Sequence, residues 1–140
     1  MQKRIASLMA VGLLLMAACG TGDEVEPGPV TSFEDIAGTY ERQGPGGPGF
    51  MQFFEDETFW HSSANRDLVE DRPTEIMGAR FEGTRVLVKN SKGRCVDKDA
   101  IAGAIYEIHL LENGNLQFVL IEDTCAWRST QLQAEYAPVP

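Results

Sequence analysis

A chain of 140 residues has room for one ordinary domain and not for two. It carries 12 lysines and arginines against 21 aspartates and glutamates, a net charge of −9, which argues against a nucleic-acid partner held by a basic face. With 43% hydrophobic and 24% charged residues it has the composition of a soluble folded domain, not of a disordered chain.

Lys3 and Arg4 open the chain and an uncharged apolar run follows from Ile5 to Met16. A run of about a dozen residues is too short for a spanning helix, which needs roughly 20. It meets Met16-Ala17-Ala18-Cys19, small residues directly before a cysteine. This resembles the lipobox of bacterial lipoproteins. The resemblance implies a signal peptide over 1–18, cleavage before Cys19 and lipidation of its sulfur. It places the protein outside the cytoplasm, lipid-anchored at the outer membrane or cell surface. The alternative is an ordinary cleaved signal with an incidental cysteine. Residues 20–32 are mostly Gly, Pro, Thr and acid, which predicts that 19–32 is a flexible tether to a domain over 33–140. Such a tether reaches roughly 20 Å as a coil. Cys95 and Cys125 remain as an even pair in an oxidising compartment and are expected to form a disulfide. No CxxC and no nearby histidine support a metal site, so none is expected.

Beyond Ser32 the pattern has the scale of strands and turns. Strands are predicted at Thr39–Gln43, Phe50–Phe54, Thr58–Ser63, Met77–Phe81, Arg85–Lys89, Ala104–Leu111, Leu116–Ile121 and Trp127–Leu132. Asn113-Gly114 predicts a type I′ hairpin between the sixth and seventh. Tight turns are also read at Glu55–Glu57 and Glu82–Thr84. Gly44–Gly49, with its prolines and no following Lys-Ser/Thr, reads as a mobile loop and not a phosphate cradle.

Eight strands joined mainly by hairpins predict an all-β fold, an up-and-down antiparallel barrel, with a β-sandwich as the alternative. In such a meander the three short hairpins fall at one end. The long turns, with Cys95 and Cys125 among them, fall at the other. A tether entering at the short-hairpin end would turn the long loops away from the membrane.

Gly38-Thr39-Tyr40 opens the first strand, and Arg128 lies in the last predicted one. A Gly-x-Trp in that place, with a basic residue from the last strand across the ring, marks the lipocalin and wider calycin barrels. The chain resembles a small lipocalin-like barrel with Tyr40 in the tryptophan's place and Arg128 as partner. The resemblance implies a small apolar ligand inside the barrel. Candidate lining residues are Met51, Phe53, Phe59, His61, Phe81, Tyr106, Leu110 and Phe118.

No catalytic constellation is found. His61 and Ser62 point to opposite faces of a strand, and His61 and Ser63 lie about 7 Å apart on one face. A non-catalytic binding module without a cofactor is therefore expected. The alternative is an envelope interaction or inhibitor-like protein that uses the long loops on a filled barrel. Haem held by an interior His61 is a third and weaker reading.

Overall fold

The computed structural model describes residues 25–96 and 103–140; the readings on the signal peptide and Cys19 lie outside the described residues. One antiparallel sheet contains β1 (Gly28–Pro29), β2 (Gly38–Gln43), β3 (Phe50–Phe53), β4 (Thr58–Ser62), β5 (Glu75–Glu82), β6 (Arg85–Lys92), β7 (Ala104–Leu110), β8 (Leu116–Glu122) and β9 (Glu135–Pro138). β2 to β9 pair in sequence order, and β9 returns to β2 through Tyr40↔Pro138 to Gln43↔Glu135. The result is a closed eight-stranded up-and-down barrel with β1 added outside on β7. Closure suits an acidic domain of this size because it removes exposed strand edges.

Alternation builds the wall. Tyr40, Met51, Phe53, Phe59, Met77, Val86, Val88, Tyr106, Ile108, Leu116, Phe118 and Tyr136 form a single buried cluster. The turns follow local chemistry. Gly83, φ 64°, is the first of two residues between the paired Glu82 and Arg85, where a type II′ turn requires glycine. The Asn-Gly hairpin differs from the type I′ expectation. Gly114 N–H donates to Leu111 O at 2.9 Å, and only Gly114 takes a positive φ, 81°. It is a type I turn closed by a left-handed glycine, because Asn113 keeps its own side chain on Asn115 N–H, 3.0 Å away.

The eighth predicted strand is not a strand. Residues 126–132 form helix α2 (Ala126–Leu132), and the chain closes the barrel with Glu135–Pro138 instead. Arg128 and Leu132, one helical turn apart, are the buried residues of α2. Their spacing fits period 2 and period 3.6 alike, which is why alternation alone misread it. A second short helix, α1 (Asn65–Val69), lies within the long turn between β4 and β5.

Gly28–Val30, expected from composition to belong to a flexible tether, are instead built onto the barrel wall. Gly28 and Pro29 pair with Leu110 and His109, and Val30 N–H donates to Ile108 O at 2.8 Å. The chain then crosses the short-hairpin end, where Phe33 and Ile36 are fully buried. Phe33 meets Phe53, Phe59 and Phe81 edge-on at 4.9, 5.6 and 5.3 Å, closing that end with an aromatic plug. Apolar Val30 and Phe33 gain more from burial than the Gly-Pro segment loses by being ordered. Among the described residues no helix is long and apolar enough to cross a membrane.

Candidate functional site

The barrel axis is occupied by rings. Phe118 on β8 lies 6.2 Å from Phe53 on β3, 6.3 Å from Phe59 on β4, 6.0 Å from Tyr106 and 6.3 Å from Tyr136. Contacts of this length reach from one wall to the other. The candidate lining residues Met51, Phe53, Phe59, Tyr106 and Phe118 thus point inward, are at most 3% exposed, and pack on one another. Phe81 and Leu110, partly buried, pack against the same cluster. Tyr40 adds its edge to Phe53 at 5.6 Å.

Toward the long-loop end the inward positions turn polar. His61 continues the phase of Phe59, Glu75 that of Met77, and Asn90 that of Val88, and all three are buried. α2 lays Arg128 across them. Its Nε and Nη2 donate to the two oxygens of Asp123 at 2.8 Å each, and its Nη1 donates to Asn90 Oδ1 at 2.8 Å. Asn90 Nδ2 donates to Glu75 Oε2 at 3.0 Å, and the Tyr106 hydroxyl donates to Asp123. Burial works to raise the Asp123 carboxyl. Hydrogen bonds from Arg128, Tyr106 and Cys125 N–H outweigh it and hold the group below the ordinary carboxylate range. Burial first, then the bond to Asp123, pushes the Tyr106 hydroxyl far up. Arg128 is therefore a helix residue at the long-loop end, not a last-strand residue packed across Tyr40 at the other. The helix replaces the strand that would have carried it there.

Glu75 is fixed further by Arg94 N–H, 3.1 Å from each carboxylate oxygen. Gly93, φ 109°, makes this possible, since a Cβ there would overlap the carboxylate. The loop that follows β6 is held to α2 by the Cys95–Cys125 disulfide, Cα to Cα 6.1 Å.

Above this network opens a cleft of about 300 Å³. Its walls are the glycine loop (Gly46, Gly47, Pro48), His61, Ser63, Thr74, Glu75, Arg94, Trp127 and Gln131. Arg42 links the loop to α2: Nη1 donates to Gly46 O at 3.2 Å and Nη2 to Thr130 O at 3.3 Å. Arg94 lies over the Trp127 ring, 5.2 Å from its centroid, and that ring meets His61 edge-on at 5.8 Å. His61 is 5% exposed, and neither ring nitrogen has a hydrogen-bond partner among the described residues. Burial, and then the charge of Arg42, push its pKa down to about 4. At neutral pH it is an uncharged imidazole with one donor and one acceptor nitrogen, both shut off from the cleft. Gly49, itself buried, packs closely on Nε2, where a Cβ would stand only 3.3 Å away.

The nearby hydroxyl has other work: Ser62 Oγ donates to Asp67 at 2.9 Å. His109 lies on the wall's outer side, paired with Glu107 at 3.0 Å. Among the described residues no group of three metal-binding side chains is brought together. The site residues that sequence reasoning missed are Glu75, Asn90, Asp123, Arg94 and Trp127. For Glu75 and Asn90 the signal existed, since each extends an inward phase by one step. For Arg94 and Trp127 it did not. They meet through a loop and a helix whose placement depends on closure.

Comparison with known proteins finds no matching family model, no similar curated protein and no similar solved structure.

Proposed function

We propose that the protein is a non-catalytic binding module, tethered outside the cytoplasm through a lipidated Cys19, whose ligand site is the long-loop cleft and not the barrel interior. The lipobox-like run before Cys19 supports the tether, and the closed barrel supports a lipocalin-like scaffold. One observation carries the choice of site. Rings fill the axis from wall to wall, whereas the cleft is open and lined by exposed Arg94, whose guanidinium lies over the Trp127 ring. The filled interior favours the reading in which the long loops work on a solid scaffold. Native mass spectrometry of the protein from its own host tests this. A small retained mass that Trp127→Ala removes supports the cleft. A mass that survives Trp127→Ala and is lost only on enlarging Phe59 or Phe118 contradicts it.

A further inference from the structure

We infer that the cleft takes one pyranose ring of a sugar, its C–H face laid on the Trp127 indole and its hydroxyls held by Ser63, Thr74, Gln131 and Arg94. The inference rests on the cleft being the ligand site.

Hydrogen-bonding character is the first ground. A carboxylate or phosphate calls for donors and an ammonium for acceptors, whereas a sugar hydroxyl gives one bond and takes another. The groups that line the cleft are mixed in that sense. The Gln131 side chain carries both a donor and an acceptor and makes no hydrogen bond among the described residues. Ser63 is exposed, and its hydroxyl likewise has no partner among them. Thr74 Oγ1 donates to His61 O at 2.9 Å and keeps its lone pairs for a ligand. Exposed Arg94 adds the donors of its guanidinium. The acid in the wall is already committed, since Glu75 accepts from Asn90 and from Arg94 N–H. The shut-off His61 nitrogens take no part.

Shape is the second ground. A lipid chain needs apolar walls on every side, and the apolar rings that line this cleft are Trp127 and Pro48 alone. A pyranose needs one aromatic platform for its C–H face and polar groups around its rim. A volume of about 300 Å³ stands at the lower end for small-molecule sites and suits a single ring, not a chain of them. The platform is preset. His61 meets the indole edge-on at 5.8 Å, and α2 is held by Arg128 on Asp123 and by the Cys95–Cys125 disulfide. Arg94 covers the indole from a long flexible stem, so an arriving sugar displaces it and takes its donors onto the hydroxyls.

The test uses the full chain in micelles of a detergent without a sugar head group, followed by NMR of the Trp127 indole and the Gln131 side-chain amide. The probes are the methyl glycosides of glucose, galactose, mannose and N-acetylglucosamine. Cyclohexylmethanol and benzoate serve as an apolar ring and an anion of similar size. At least one glycoside is expected to shift both groups and to bind at least about tenfold tighter than either control. Ser63→Ala and Gln131→Leu should each weaken that glycoside about three- to tenfold, with cyclohexylmethanol unchanged. Trp127→Leu should abolish glycoside binding while the signals of the barrel rings stay in place. Either control binding as well as the best glycoside overturns the sugar and leaves the cleft as a binding site. Glycoside binding that is unchanged in both polar variants overturns it too. Shifts confined to Phe59 and Phe118 overturn the cleft itself. Silence of Trp127 and Gln131 to every glycoside up to about 50 mM overturns the sugar.

Discussion

At the scale of single residues, His61 is a costly feature of the fold and an informative one. Its imidazole is buried, unpartnered and beside Arg42, so folding disfavours its protonated form. The unfolded chain binds a proton near the ordinary value of 6.5, the folded chain only at about 4. Stability is therefore full above pH 6.5 and falls as pH drops through 4, by about 3 kcal/mol in all. His61→Phe should remove that slope and leave the acid loss at lower pH to which Asp123, Glu107 and Glu135 contribute. At pH 7 it should be as stable as the parent or about 1 kcal/mol more so, since it buries no unpaired nitrogen. Urea unfolding at several pH values checks both. A variant clearly less stable at pH 7 would mean that the imidazole is a structural hydrogen-bonder.

At the scale of elements, the hairpins were legible and the helix was not. Asn113-Gly114 and Gly83 placed their turns correctly because glycine's left-handed freedom is local. Even there the turn type at Gly114 depended on an Asn113 side chain that sequence does not orient. Residues 127–132 were misread because Arg128 and Leu132 fit either period, and only closure by Glu135–Pro138 decides between them. The candidate site divides the same way: His61's inward direction followed from Phe59, whereas the cleft needed a loop, a helix and a barrel end together. Two outcomes test the elements that build it. Arg128→Met leaves Asp123 buried without its cation and should cost about 3–5 kcal/mol, with Asp123→Asn added in the same chain restoring part. A single variant near neutral in stability would show the pair is solvated. Removing the disulfide with Cys95→Ser and Cys125→Ser opens a 30-residue loop and should cost about 3–4 kcal/mol. An unchanged melting curve would contradict this.

At the scale of the whole molecule, the polarity of the barrel relates the proposed Cys19 anchor to the cleft. The chain leaves the barrel at Gly28 beside Leu110, at the short-hairpin end, with Phe33 plugging that end behind it. Under the proposed lipidation of Cys19, the plugged end and its Glu55, Asp56, Glu57, Glu82 and Glu112 would face the bilayer and the cleft the aqueous phase. Cys19→Ala should release a folded protein from membranes. Spin labels on vesicle-bound protein should find Asn113 more protected from an aqueous relaxation agent than Ser91. The reverse order would contradict the orientation.

The most direct measurement is the set of intermolecular NOEs between bound ligand and protein side chains, taken on the protein with a mass retained from its host or with a bound methyl glycoside. Contacts from the ligand to the Trp127 indole and the Gln131 side chain are expected. Contacts to the rings of Phe59, Phe118 and Tyr106 would place the ligand inside the barrel and contradict the cleft as the binding site.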